Sequence, residues 1–95
     1  MTDMFARENE FAREVRDNAV LTGSEKQIAW ARDSIQKVAF GITTGLFKTK
    51  EFETAKAFTE WVVKNNTSAR YWIDIRDKGR RYYENLLEDW EEENA

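Results

Sequence analysis

The apolar residues of this chain recur at intervals of three and four positions, the spacing that places side chains on one face of an α-helix. In the clearest stretch they fall within a stripe about 100° wide on a helical projection. These residues are Ile28, Ala31, Ile35, Val38, Ala39, Ile42 and Leu46. Comparable faces occur in three other stretches, and no stretch shows the period-two alternation of a strand. The spacing therefore predicts an all-α fold, a single small bundle of three to four helices.

Short polar connections divide the chain into its predicted elements. The single domain covers 1–95, with an N-terminal helix or arm at 1–20, bundle helices at 22–45, 50–65 and 68–90, and a frayed acidic tail at 91–95. Because the connections are short, consecutive bundle helices are predicted to be antiparallel neighbours. The helices at 22–45 and 68–90 are predicted to lie side by side, with Ile35, Trp72 and Ile75 facing the core.

Capping residues and glycines predict where the helices begin and end. Two overlapping capping boxes fit the start of the second helix: Thr22 with Glu25, or Ser24 with Gln27. Gly45 is predicted to end that helix in the left-handed conformation. Gly79 falls inside the apolar face of the last helix, which predicts the close approach of another backbone.

The composition excludes several classes of chemistry. The chain has no histidine and no cysteine, so the usual near-neutral acid–base group and thiolate metal sites are missing. We predict no catalytic residue, no metal site and no cofactor. No apolar run approaches the roughly 20 residues that cross a bilayer, and the N-terminus lacks an apolar signal region. A cytoplasmic protein without membrane contact is therefore predicted, in the host cytoplasm if a phage encodes it.

Charge is distributed unevenly along the chain. The net charge is −3, but residues 82–95 contain six acidic residues and no Lys or Arg, whereas residues 1–81 carry a net positive charge. The acidic end either keeps a frayed helix in solution or forms a surface that meets a basic partner. The candidate partner-binding residues in it are Glu88, Asp89, Glu91 and Glu92.

Trp30 lies off the apolar face of its helix, near Lys26 and Lys37. Either the N-terminal helix covers it with Phe5 or Phe11, or it stays exposed and contacts a partner or a second copy of the chain. Exposed tryptophans are frequent anchors of protein interfaces. Lys26, Trp30 and Lys37 are therefore candidate partner-binding residues.

The segment 70–83 is the most basic and aromatic part of the chain. Arg76, Arg80 and Arg81 are candidate contacts for a phosphate or for a partner, and aromatic side chains can stack on bases. Most of the segment's aromatic residues, however, fall on the predicted core face. Nucleic-acid binding is therefore the alternative hypothesis rather than the leading one.

Two strings in the chain resemble a known pair of motifs. Leu-Thr-Gly-Ser-Glu-Lys-Gln-Ile-Ala-Trp-Ala at 21–31 and Ser-Ala-Arg-Tyr-Trp-Ile-Asp-Ile-Arg at 68–76 are similar to motifs of small proteins from phages and mobile elements. The resemblance covers about 21–45 and 67–87, places the motifs on two helices, and implies no particular activity or site residue. After Ala31 the chain departs from the usual Ala-x-x-Ile-Arg, with one added residue and the arginine lost.

The resemblance suggests that the polar residues of the two motifs are neighbours, either as a clamp between two helices or as a site. We predict a non-enzymatic, phage- or mobile-element-type protein-binding module, in the form of a counter-defence inhibitor of the anti-CRISPR kind that docks on a host protein or protein complex. A homodimer is the other interface considered. The alternative is a small nucleic-acid-binding accessory protein that uses segment 70–83.

Overall fold

Helices form where the apolar spacing predicted helical faces. The computed structural model describes residues 4–46 and 52–94. Within these ranges the helices are α1 (Ala6–Asn18), α2 (Glu25–Gly41), α3 (Phe52–Lys64), α4 (Ala69–Ile75) and α5 (Arg80–Glu93). A π-helical turn, Ile42–Leu46, continues α2. The all-α class is confirmed, but three to four helices were too few because the predicted helix 68–90 is divided into α4 and α5.

The start of α2 uses the second of the two predicted capping boxes. The Gln27 amide donates to the Ser24 hydroxyl at 3.2 Å, and the Ser24 amide donates to the Gln27 side-chain oxygen at 3.1 Å. These bonds satisfy amides that have no partner within the helix. The box of Thr22 with Glu25 does not form, because the backbone of Thr22 is engaged elsewhere.

The backbone of Thr22 joins the start of α2 to the start of α4. Its amide donates to the Thr67 carbonyl at 2.8 Å, and its carbonyl accepts from the Ala69 amide at 2.9 Å. The next residue, Gly23, has a φ of +144°, and a Cβ there would lie 3.0 Å from the Gln27 Oε1 and 3.1 Å from the Ala69 Cβ. This arrangement, which we term the 22–69 joint, requires glycine for both its backbone conformation and its space.

The core lies between α1, α2, α3 and α4. Trp72 and Ile35 are fully buried and Ile75 is buried beside them, as predicted. The Trp72 indole donates to the Asn66 carbonyl at 2.7 Å, and the buried Ser34 hydroxyl donates to the Trp72 carbonyl at 2.8 Å. The indole N–H and the hydroxyl are therefore satisfied inside the core, which removes most of the penalty for burying them.

Glu8, which interrupts the apolar face of α1, is buried inside the protein. It is 1% exposed, and its carboxylate lies 3.0 Å from the Arg7 guanidinium. That guanidinium also lies 4.0 Å from the centre of the Phe52 ring on α3. A buried carboxylate of this kind requires a partner, and Arg7 is one.

The predicted ends of α2 and of the last helix need correction. Gly45 lies inside the π-helical turn, and Gly23 is the one described glycine with a positive φ. Gly79 precedes α5 in an extended conformation, and a Cβ there would meet no atom of the described residues within 4 Å, so the predicted close contact at this position is not seen. The acidic end is helical through Glu93 rather than frayed from residue 91. Within the described ranges, no helix has the length and apolar character that crossing a membrane requires.

We expect Gly23→Ala to lower the free energy of unfolding by about 1–3 kcal/mol, the range typical of a forced backbone conformation. The matched control is Gly41→Ala, because a Cβ at the end of α2 meets nothing within 4 Å. That substitution should be neutral or stabilise the helix by about 0.5–1 kcal/mol. Urea denaturation of the two variants measures both changes, and equal stabilities would contradict the constraint assigned to Gly23.

Candidate functional site

Trp30 is the large aromatic side chain that stands furthest out of the described surface. It is 49% exposed, one helical turn from Lys26, whose ammonium lies 5.1 Å from the centre of the indole ring. The cation over the ring face adds a modest attraction that orients both side chains. We term Lys26 and Trp30 the Trp30 surface.

The N-terminal helix does not cover Trp30. The Phe5 ring packs edge-on against Phe40 at 5.8 Å, and the Phe11 ring packs edge-on against Phe52 at 6.0 Å. Both aromatic residues that were candidates to cover Trp30 are thus used in other contacts. Of the two alternatives, the exposed Trp30 is the one that the structure shows.

A second candidate site is a groove of about 290 Å³ where α2 and the π-helical turn face the connection between α4 and α5. Three cationic residues line it: Lys37 from α2, Arg76 at the end of α4, and Lys78 from the connection. Tyr83 lines it from the first turns of α5. No carboxylate is among its described lining residues, so we term it the basic groove.

The remaining lining of the basic groove is apolar and includes two glycines. Val38 and Ile42 contribute side chains, and a Cβ at either Gly41 or Gly45 would meet no atom of the described residues within 4 Å. Gly45 belongs to the π-helical turn, a rare element that is found frequently at functional sites. The wide turn and the two glycines therefore leave room for a ligand beside the three cations.

Tyr83 keeps a protonated hydroxyl at the basic groove. Burial, and secondarily the neighbouring Tyr82, raises the pKa of Tyr83 to about 12. The hydroxyl of Tyr82 is engaged with that of Tyr71 at 2.8 Å, whereas no hydrogen bond joins the Tyr83 hydroxyl to another part of the described chain. Tyr83 can therefore donate a hydrogen bond to a molecule in the groove.

The outer side of α5 is acidic. Glu88, Asp89, Glu91 and Glu92 are exposed, and no ion pair links them to another described residue. The inner side of the helix is anchored by Trp90, whose ring lies 5.6 Å from that of Phe58 on α3. The helix therefore presents its carboxylates from a fixed position, and we term these four residues the acidic face.

The basic and aromatic segment 70–83 does not form one continuous surface. Trp72 is fully buried, and Tyr71, Tyr82 and Tyr83 are half-buried. Arg70 is paired with Asp74 at 3.3 Å, and Arg81 is exposed. The side chain of Arg80 lies outside the described part of the structure. In the described segment, no aromatic side chain is fully exposed for stacking on a base.

A larger groove of about 620 Å³ lies between α1 and α3. Phe11, Val15 and Val63 provide apolar surface, while Lys56, Lys64, Glu14 and Glu60 line it with both signs of charge. Because the charges are balanced, this groove has no evident preference for an anion or a cation. Across the described residues, no group of three or more acidic side chains is arranged to hold a metal ion.

The structure brings together some of the predicted site residues and separates others. Lys26 lies against the Trp30 ring, and Lys37 and Arg76 both line the basic groove. Lys78 belongs to the predicted basic segment 70–83 but was not among the named candidate residues, and Tyr83 was assigned to the core face. The break at Gly79, beside which both line the groove, was not predicted. The sequence signal was the Lys78-Gly79 pair itself, a positive charge beside a residue that disfavours helix.

The two motif stretches touch at places other than their charged residues. Their contacts are the 22–69 joint and the bond from Ser34 to the Trp72 carbonyl. Lys26 and Arg76 are both exposed. A clamp between helices therefore exists, but backbone groups and a serine make it. Comparison of the chain with protein-family models, with curated proteins and with solved structures gave no match.

We expect alkaline titration to distinguish Tyr71 and Tyr83 from free tyrosine. Burial raises the pKa of both phenols, that of Tyr83 to about 12, above the usual value of about 10. Between about pH 10 and about pH 12, the folded protein keeps these phenols protonated, whereas the unfolded chain releases the protons. The contribution of the buried phenols to the free energy of unfolding is therefore complete below about pH 10 and decreases as the pH rises towards about 12.

Ultraviolet absorbance of tyrosinate measures this titration, and Tyr83→Phe should remove one of the late-ionising groups. The control is the same protein in urea, where every phenol should ionise near its usual pKa. A folded protein in which all tyrosines ionise together near the usual pKa would contradict the burial described here.

Proposed function

We propose that this protein acts by binding another protein, as a non-enzymatic docking module. The observation that supports this most directly is the exposed Trp30 with Lys26 beside its ring. Tryptophan is among the residues most enriched at the energetic centres of protein interfaces. An indole that stays half-exposed, while Phe5 and Phe11 pack on other rings, is typical of such an anchor.

The backbone that carries Trp30 supports this proposal because it is held before any partner binds. α2 begins at the Ser24–Gln27 capping box and at the 22–69 joint, and its other side is buried through Ile35. Binding through a fixed helix requires little ordering of the backbone. The entropic cost of association is correspondingly lower.

The negative charge of the acidic face of α5 favours a partner that has a basic surface. The four carboxylates of this face are exposed and form no ion pair with another described residue. Complementary charge mainly raises the rate of association and selects against partners of the wrong sign. A basic protein surface, such as the channel of a nucleic-acid-binding complex, has the charge that complements this face.

The more specific identity that we propose is a counter-defence inhibitor of the anti-CRISPR kind, acting on a host protein or protein complex in the cytoplasm. This part of the proposal comes from the motifs at 21–31 and 68–76 and from the small size of the chain. In that role the acidic face of α5 would occupy a channel that otherwise holds nucleic acid.

The alternative is direct nucleic-acid binding through segment 70–83. Exposed Arg76, Lys78 and Arg81 favour it, but the partly buried aromatic residues provide little stacking surface. Nucleic-acid binding would give retention on heparin that falls steeply with salt, and substitution of Arg80 and Arg81 by alanine would abolish it. Weak retention that these substitutions do not change is the result that favours protein binding.

We expect Trp30→Ala to reduce partner capture by about tenfold or more, because truncation of an anchor typically costs at least about 2 kcal/mol of binding free energy. The measurement is quantitative mass spectrometry of proteins that copurify with the tagged chain from cells that carry its gene. Circular dichroism establishes that the variant is folded.

The matched control is Met4→Ala, because Met4 is another exposed apolar residue, at 82%. It should leave capture unchanged. Sedimentation of the purified wild type distinguishes a different partner from a second copy, and we expect a monomer. Equal capture by wild type and Trp30→Ala would contradict the assigned role of Trp30.

We expect neutralisation of the acidic face to slow association and to reduce its salt dependence. The variant carries Glu88→Gln, Asp89→Asn, Glu91→Gln and Glu92→Gln, which preserve the packing of Trp90 on Phe58. Deletion of residues 88–95 would remove that packing as well, so it would not separate charge from folding. Surface plasmon resonance against the captured partner measures the association rate.

The matched control removes four negative charges from other helices, by Glu10→Gln, Glu14→Gln, Glu53→Gln and Glu60→Gln. Net charge then changes equally, while the acidic face stays intact. Association that slows to the same degree in both variants would assign the effect to net charge, and the proposed role of the acidic face would be wrong.

A further inference from the structure

The basic groove concentrates positive charge in a protein whose net charge is −3. Lys37, Arg76 and Lys78 come from three segments of the chain and line the same space. Like charges held around one groove repel each other. A bound anion would relieve this repulsion, whereas the described lining itself offers no carboxylate to do so.

The nearest acidic groups along the chain do not neutralise the basic groove. Asp77 lies between Arg76 and Lys78, but its carboxylate is 92% exposed and 3.9 Å from the Arg76 Nε. A separation of this size in solvent contributes little. Asp74 is paired with Arg70 on the exposed side of α4. The Arg76 guanidinium therefore retains donors for a ligand.

Two further donors accompany the cations. The Tyr83 hydroxyl lines the groove in its protonated form and has no hydrogen bond to another described residue. Beside Lys78, α5 begins at Gly79 without a side-chain cap. The first amides of this 14-residue helix have no side chain as acceptor, and the helix dipole makes this end positive.

The rest of the groove suits an uncharged group. Val38 and Ile42 provide apolar surface, and the glycine positions 41 and 45 are open. The volume of about 290 Å³ is just below the usual range for small-molecule sites, which favours a small ligand. The site therefore has a cationic part and a small apolar part.

We propose that the basic groove binds a phosphate monoester carried on a small, mostly apolar or planar body. Three cations favour the doubly charged phosphate monoester over a carboxylate, and the planar guanidinium of Arg76 matches two phosphate oxygens at once. Val38, Ile42 and the glycine surfaces contact the body of the ligand. This inference does not depend on the proposed binding of a protein.

The test is a titration followed by amide resonances in nuclear magnetic resonance spectra, with inorganic phosphate as the first probe and sodium chloride holding ionic strength constant. We expect phosphate to shift the resonances of Lys37 and of residues 76–83 more than that of Arg13 on α1. Adenosine 5′-monophosphate should bind about tenfold more tightly than phosphate, because its body adds apolar contact. Adenosine, which lacks the phosphate, should bind far more weakly.

Variants separate the charges from the shape of the groove. Lys37→Gln and Arg76→Gln should each weaken binding of adenosine 5′-monophosphate by about tenfold, as expected for loss of a charge-assisted contact. Arg13→Gln, the matched control, should not. Gly41→Leu should fill the groove and block binding while thermal melting shows a fold at least as stable, because leucine favours helix over glycine.

Four results would overturn the proposal. Phosphate could shift the groove resonances no more than that of Arg13, or adenosine could bind as tightly as its monophosphate. Gly41→Leu could be folded and retain full affinity. Finally, an oligonucleotide without a terminal phosphate could bind more tightly than adenosine 5′-monophosphate and lose that affinity in Arg76→Gln, which would assign the groove to a nucleic-acid backbone.

Discussion

The structure depends on two backbone hydrogen bonds that connect parts of the chain 45 and 47 residues apart. The Thr22 amide and carbonyl bond to Thr67 and Ala69 at 2.8 and 2.9 Å, so α2 and α4 start from one point. Gly23 makes this approach possible, because any other residue would be strained by its φ of +144° and would place a Cβ 3.1 Å from the Ala69 Cβ. Further along the same two helices, the Ser34 hydroxyl donates to the Trp72 carbonyl.

From the 22–69 joint, where Thr22 and Ser68 form a parallel bridge, α2 and α4 start side by side and pack directly against each other. Trp72 is thereby placed beneath Ser34 and is fully buried. Arg76, at the end of α4, and Lys37, on α2, line the same groove. There the chain leaves α2, turns at Gly79 and continues as α5, which packs on α3 through Trp90 and Phe58. The basic groove lies at this change of direction.

The candidate sites differ in how much of each could be predicted from the sequence. Lys26 and Trp30 are one helical turn apart, so their contact follows from local geometry alone. Lys37 and Arg76 could be named as candidates, but their meeting depends on the relative position of two helices. Tyr83 was assigned to the core because a helical projection places it on the apolar face. A helical projection describes one helix alone, so it does not show that the apolar face of α5 continues past the edge of the core into a groove.

The sequence by itself determined the all-α class, the approximate helices and the burial of Ile35, Trp72 and Ile75. Those features follow from side-chain periodicity and from capping, which act within a few residues. Only the tertiary structure decided which capping box forms, that residues 68–90 make two helices, that Trp30 is uncovered, and that a basic groove exists. These features depend on contacts between distant segments. At Thr22, for example, the backbone amide donates to the Thr67 carbonyl instead of to the Glu25 side chain of a local capping box.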